Sequence, residues 1–447
     1  MNGWLLSRVV AVRRRVRFRR TIAVKSTVLT HSVGDILMSS RRVIERPSRR
    51  WAQALIVAAL ALTACQPDVT PTSAPTVAPT TTPTAAPATV APTEAATAES
   101  GATAASTAEA PTATAAPVNA VEIPSPFSDV NAKPRVALVR ELSDGSFFER
   151  YLAGAQAQAE ELGIELLDSS ASGDQAKQIA NLETAIQQRV DAIIIDHGRA
   201  DALRPVVQQA LDAGIQVVSF DSALNLPQVP EIEQDDLLIG QLIARQLAVD
   251  IGGAGEVIYV NVNGFAPLDK RDRSWQDILW RYPDIKQVAQ VGKVSSSTAA
   301  DTQAQVEAAI KANPNATTIL TTYDEFAKGA VQAVTQAGLA DKYRIYGVDI
   351  NTDDIQVITA EGSPWKATVA TDSYSVGRLS VRAAAALIAG EPVDRYLLVP
   401  PVLVTQDFLR QNAISDIDGL VKALPALGES PLVWFDWIYK LTDQNGS

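Results

Sequence analysis

The side chains of this chain that could do chemistry collect at the ends of short apolar runs. Glu141 follows RVALVR, with Ser143-Asp144-Gly145-Ser146 and Phe147-Phe148 close behind; Asp196-His197 end DAIIID, and Asp221-Ser222 follow QVVSF. Farther along, the same places hold Asn261 and Asn263, Tyr323-Asp324-Glu325, Asp349-Ile350-Asn351 and Asp372. Carboxylates and amides exchange several directional hydrogen bonds with hydroxyls, and an aromatic face stacks on the C–H face of a sugar ring. Taken together the set predicts a site for a polyhydroxylated ligand. Paired carboxylates would also serve acid–base cleavage of a glycosidic bond. For any single acid, capping of the helix that follows is an equal alternative. His197 reads equally as a ligand contact and as a polar strand-end residue.

Other chemistry is thinly supplied. One cysteine makes no internal disulfide, and two histidines with it make no Cys/His zinc site. The acidic pairs lack calcium-loop spacing, and there is no Gly-x-Ser-x-Gly elbow. Neither cofactor nor metal is expected. A net charge of −11 argues against nucleic acid as a partner. IGGAGE (251–256) precedes a strand instead of joining strand to helix, so it reads as a helix stop and turn, not a phosphate cradle. Asp353-Asp354 reads as the acidic first turn of a helix.

The elements that must position these groups alternate. RVALVR (135–140), IELLDS, DAIIID, QVVSFD, GEVIYVN (255–261), ATTILTTYD (316–324), YRIYGVD (343–349) and WKATVATD (365–372) read as strands. Between them lie amphipathic segments such as SFFERYLAGAQAQAEELG (146–163) and DQAKQIANLETAIQQR, several with a glycine after the last turn. Strands spaced by helices predict α/β architecture with parallel sheets covered on both faces. The number of strands and a break near residue 233 predict two doubly wound lobes. Ligands of open parallel sheets bind beyond the carboxyl ends of the strands, which is where the candidate residues fall.

The two ends of the chain differ from its middle. Residues 66 to about 130 are rich in Pro, Thr, Ala and Ser with almost no large apolar side chains, which predicts an extended, disordered tether. Before it, Trp51–Ala64 is too short to span a bilayer and follows a cluster of arginines, the layout of a signal peptide. Leu62-Thr63-Ala64-Cys65 resembles the lipobox of bacterial lipoproteins, which implies that Cys65 is lipidated and becomes the mature N-terminus at a membrane. Met38 then reads as the initiator, with a signal peptide over 38–64 and residues 1–37 as upstream extension. The alternative for AVRRRVRFRR is a basic arm for nucleic acid or anionic lipid. The C-terminal segment 426–447, with Trp434, Phe435, Trp437, Ile438 and Tyr439, reads as a strap folded back on an apolar patch or as a contact for a permease, another protein or the membrane.

Three stretches, RVALVRELSDGSFFERYLAGAQAQAEELG, VDAIIIDHGRADALRPVVQQALDAGIQVVSFDS and TILTTYDEFAKGAVQAVTQAG…YRIYGVDIN, resemble the type I periplasmic sugar-binding proteins of the ribose-binding group. The likeness spans nearly all of residues 134–410. It implies two lobes, about 134–233 with 373–398 and about 236–371 with 401–425. A three-strand hinge near Gln234-Asp235, Asp372-Ser373 and Pro400-Pro401 would join them. It further implies a monomer that closes on a sugar and docks on an ABC permease; an extracytoplasmic sensor is the alternative, and a surface glycosidase the more distant one. By position, Phe147 and Phe148 match the aromatic pair that packs on the sugar, and Asp221 the acid that binds ring hydroxyls. Asp196 stands where Asn is common. Arg271 matches the arginine of an Arg-x-x-Gly-Phe segment, here with Ser274 and Trp275. Asp349 matches the second lobe's acid, although Val348 replaces an aromatic. Gln234 lies at the first crossover, Tyr323 stands in place of Asn and Thr371 in place of Gln. A further stacking aromatic would fall near Ser297. These departures imply a ligand other than a plain pentose: a larger or differently shaped polyol, a hexose derivative or another small polar metabolite.

Overall fold

Runs such as Val136–Val139 and Ile193–Ile195 are apolar at every residue, a pattern that suits only a strand covered on both faces. The computed structural model, which describes residues 121–445 apart from Val130, places them in the middle of a six-stranded sheet. The first sheet is built from β1 (Arg135–Arg140), α1 (Ser146–Glu161), β2 (Glu165–Ser170), α2 (Gln175–Gln187), β3 (Ala192–Asp196), α3 (Ala200–Asp212), β4 (Gln216–Phe220) and β5 (Glu231–Glu233). Alternate strand residues serve opposite faces. Val136, Leu138, Ile194 and Phe220 pack under α1, whereas Ala137, Val139, Ile193 and Ile195 pack under α2 and α3.

The chain then enters a second sheet through α4 (Asp236–Asp250), β6 (Ala254–Val260), α5 (Ala266–Arg281), β7 (Asp284–Val291), α6 (Thr298–Ala312), β8 (Thr318–Thr321), α7 (Asp324–Gln336), β9 (Arg344–Val348), α8 (Thr352–Thr359) and β10 (Trp365–Ala370). Helix α9 (Ser373–Ile388) and β11 (Tyr396–Leu398) return to the first sheet; β12 (Val402–Thr405), α10 (Gln406–Gln411) and α11 (Ile417–Ala423) go back to the second. The strand orders are β11-β5-β4-β3-β1-β2 and β12-β10-β9-β8-β6-β7. The expected α/β class with two lobes is therefore present, and the chain passes between the lobes at 234–235, 371–372 and 399–401. One edge strand of the second sheet is antiparallel, β12 against β10. It follows β11 directly, with no helix to carry the chain back to the far end of the sheet, so it starts at the crossover and runs away from it.

Helices α1 and α9 touch backbone to backbone. A Cβ on Gly377 would lie 2.0 Å from the Tyr151 carbonyl oxygen, so only glycine permits that approach. Helix α12 (Asp436–Asn445) closes the chain on the first lobe. Trp437 and Ile438 are buried there, Trp437 at 5.0 Å from Phe127, and the Arg382 guanidinium lies 4.3 Å over the Trp434 ring. Residues 121–129, within the stretch expected to be unstructured, are thus ordered against this helix. The extension 1–37, the signal segment 38–64 and Cys65 lie outside the described residues. Among those described, no helix is long and apolar enough to cross a membrane.

Candidate functional site

Several strand ends turn into the space between the lobes with left-handed backbone. His197 after β3, Asp221 after β4 and Asp349 after β9 have φ of 60°, 50° and 71°. Non-glycine residues seldom adopt this region, and Asp and His are among those that tolerate it. Each turn fixes where its side chain stands. His197 and Asp349 line one cleft, of about 440 Å³, together with Leu142, Phe147, Phe148, Gln234, Arg271 and Tyr323; the rest of its wall is Phe265, Pro267, Leu268 and Val294.

Of the residues singled out from the sequence, Phe147, Phe148, Gln234, Arg271, Tyr323 and Asp349 face this cleft directly. Three others stand one bond behind it. Asp221 Oδ2 accepts a hydrogen bond from Gln234 Nε2 at 3.0 Å, and Thr371 Oγ1 donates to Gln234 Oε1 at 2.8 Å. One amide therefore ties a first-lobe strand end to two crossovers. Asp196 is buried behind His197, its Oδ1 2.5 Å from His197 Nδ1.

The second lobe's charges are held by helix packing. Gly240 on α4 lets α5 approach so closely that a Cβ there would meet Ser274 Cβ at 2.7 Å and Arg271 Cα at 2.9 Å. Ser274 on α5 thus faces a glycine on α4. The approach seats Arg271 on Asp236, with Nε and Nη2 at 2.9 and 2.8 Å from Oδ1. Arg271 Nη1 donates to the Thr322 carbonyl at 2.7 Å and lies 3.8 Å from Asp349 Oδ2. Trp275, one turn on, is core: its Nε1 donates to Gln287 and its ring lies 5.8 Å from Tyr259.

Burial pushes the Asp349 carboxyl up to about 6, against the pull of Arg271. Burial, reinforced by Asp236, lifts Asp221 well above the carboxylate range. Burial disfavours the His197 imidazolium, but the Asp196 charge and hydrogen bond, with help from Asp221 and Glu141, outweigh it and raise His197 to about 9. Asp221 Oδ1 and Asp349 Oδ1 are buried and receive no hydrogen bond from the described residues. Each can accept from a ligand hydroxyl. The aromatic rings beside them are edge-on to one another: Phe148 lies 5.3 Å from His197 and 6.5 Å from Tyr323.

Some strand-end groups do serve as caps. Asp372 accepts from the Tyr374 and Ser375 amides, and Asp354 Oδ2 accepts from the Asn351 amide at 2.7 Å. Ser297 lines a neighbouring cavity, so the second lobe's aromatics in the cleft are Phe265 and Tyr323. Sequence reasoning did not find Asp236, Leu142, Phe265, Leu268 or Val294. Leu142 and Phe265 stood a few positions past recognisable strand ends, whereas Leu268 lies within α5 and Val294 follows β7, a strand with no such pattern.

Residues 136–392 match the family described as the periplasmic binding protein domain. The D-apiose import binding protein of Actinobacillus succinogenes is 28% identical over 251 residues, 55% of this chain and 79% of that protein. A ribose import binding protein of Bacillus subtilis is 25% identical over 264 residues, 58% of this chain and 83% of its own length. A 5-methylthioribose transporter solute-binding protein from Thermotoga lettingae, solved in complex with 5-methylthioribose, is 60% identical; the match covers 69% of this chain and 98% of that one, with a TM-score of 0.69.

Proposed function

Because the chain belongs to the periplasmic binding protein family, we propose that it binds a pentose bearing a thioether at its 5-position, of the 5-methylthioribose type, and hands it to an ABC permease. The observation that carries this reading is the mixed lining of the cleft. Arg271, Asp349, Gln234 and His197 offer polar atoms for ring hydroxyls, while Leu142, Phe265, Leu268 and Val294 offer a surface that no hydroxyl would choose. A free pentose would desolvate its outer hydroxyls against those apolar side chains without return; a methylthio group gains from them. The 60% identity to a protein holding 5-methylthioribose supports the same ligand.

The family is one of transport binding proteins working outside the cytoplasm. In our reading this member performs no reaction. We further propose that it acts as a monomer, that Asp221 and Asp349 hold the ring hydroxyls, and that Cys65 carries the lipid that keeps it at the membrane, with the Pro/Thr-rich stretch as tether. A thermal-shift comparison tests the ligand. At a hundredfold excess over Kd a ligand stabilises by about 2.7 kcal/mol; 5-methylthioribose should reach this at lower concentration than ribose, without turnover. Equal shifts with ribose and 5-methylthioribose, or none with either, would remove the reading.

A further inference from the structure

A second cavity, of about 620 Å³, lies beside the ligand cleft and shares Leu142 and Tyr323 with it. The first lobe gives it Asp144 and Gly145; the second gives it Ser295, Ser296 and Ser297, the start of α6, and Glu325. Val294 lines the cleft and the next residue lines the annex, so the two spaces are neighbours. We propose that this annex receives the substituent on the ligand's sulfur, so that the protein takes 5-thiopentoses whose S-substituent is longer than methyl and ends in a neutral polar group. The inference rests on the thiopentose reading above and extends it.

Three features of the annex point to such a tail. First, the partition between the spaces is thin. Leu142 is only partly buried, and its side chain can change rotamer without giving up a hydrogen bond. Gly145, at φ 100°, stands where a Cβ would come within 2.9 Å of the Tyr323 hydroxyl, so glycine lets these two walls of the annex approach each other. Second, the far wall is fixed and polar. The Ser295 amide donates to Thr298 Oγ1 at 3.0 Å, that hydroxyl returns a bond to the Ser295 carbonyl at 2.7 Å, and Ser295 Oγ donates to Asp301 at 2.7 Å. Ser295, Ser296, Ser297 and Thr298 all border this space, and none of them brings a ring into it. Third, the charged groups bordering the annex, Asp144 and Glu325, are both acidic. Lys328 already pairs with Glu325, and a hydroxyl end can exchange hydrogen bonds with the serines.

Calorimetric titration of the full chain with 5-methylthioribose and with 5-deoxy-5-(4-hydroxybutylthio)ribose tests this. The same titrations follow on Ser296→Trp and Ser297→Trp, both at exposed positions; Ser297 makes no side-chain capping bond to lose. The hydroxybutyl compound should bind the unchanged protein within about tenfold of the methyl compound, although even one ill-fitting methylene can cost that much. At least one tryptophan variant should keep its affinity for the methyl compound, which also shows that it is folded, and lose about twentyfold or more for the longer one. A hydroxybutyl ligand that binds the unchanged protein more weakly than that tenfold limit overturns the annex. So do two folded tryptophan variants that bind both compounds as before. Failure of 5-methylthioribose itself to bind would instead overturn the ligand reading on which the annex rests.

Discussion

The two lobes line one cleft with different materials. The first lobe's wall is Phe147, Phe148 and His197, and both phenylalanines belong to that lobe's own core, beside Leu138, Ile194 and Phe220. The second lobe's wall is an anchored guanidinium and a carboxylate, Arg271 and Asp349, set among Phe265, Leu268 and Val294. A wall that is part of a core is rigid whether or not the lobes meet. It can offer the same aromatic surface to many rings, so it discriminates little among them. The polar pair and the aliphatic patch opposite can tell a hydroxyl from a thioether. The difference teaches that, in the proposed complex, the first lobe supplies mainly an aromatic platform, whereas the second supplies both the polar pair and most of the apolar patch. Gln234, bonded to Asp221 and Thr371, joins the lobes at the crossovers.

Arg271→Ala should break this arrangement most severely. It strips the cation from buried Asp236 and Asp349, and removing one partner of a buried ion pair costs about 3–5 kcal/mol. We expect the melting temperature to drop and ligand-induced stabilisation to vanish, while the first lobe's aromatic cluster stays packed. Thermal unfolding with and without 5-methylthioribose reads both effects. A variant that still binds tightly would move recognition of the ring hydroxyls away from the second lobe.

The same contrast explains what was legible in the sequence. First-lobe strands β1 and β3 announce themselves because continuous apolar runs have no use outside a covered sheet. Strand β7 was missed because it is an edge strand whose apolar run is interrupted by Lys286, Gln287 and Gln290. Strands β5 and β11 are three residues each and exist through pairing with each other, 165 positions apart at Glu231 and Tyr396, which no local pattern encodes. In the site, strand-end acids were visible but not their division of labour. Asp372 caps a helix and Asp349 faces the cleft, and the two differ only in where the next helix begins. Asp236 gave no signal beyond an acid in a first helical turn; its role depends on α5 approaching over Gly240.

A smaller effect should sharpen the first lobe's side of the comparison. His197 is raised from 6.5 to about 9, so the folded state holds its proton more tightly than the unfolded chain. That contribution is fully present below pH 6.5 and is lost as pH rises through about 9, worth roughly 3 kcal/mol at most. Asp349, raised to about 6, loses its share in a lower window, between 3.8 and 6. The chain has two histidines, so proton NMR should find one imidazole titrating near 9 that moves down in Asp196→Asn. A His197 resonance that titrates near 6.5 in the unchanged protein would show that Asp196 does not hold the imidazolium, and the first wall would then be aromatic alone.

The smallest expected change lies outside the cleft, where the lobes touch directly. Ser146 Oγ, at the start of α1, donates to Asp324 Oδ2 at 3.2 Å and accepts from Lys328 Nζ at 3.2 Å, both on α7 of the other lobe. Lys328 keeps Glu325 at 2.5 Å and Asp353 at 2.7 Å whatever happens to the serine. Ser146→Ala therefore removes a contact that exists only when the lobes meet, worth about 0.5–1.5 kcal/mol as an ordinary hydrogen bond. Since apparent affinity scales with the population of the binding-competent form, the ligand should bind about two- to tenfold more weakly, with the loss in the dissociation rate. Each lobe's own unfolding should not change, because neither core includes this bond. Stopped-flow dissociation separates the outcomes: no change would mean that the lobes close without this contact, and a loss beyond a hundredfold, roughly 2.7 kcal/mol, would mean that Ser146 meets the ligand and belongs to the first wall after all.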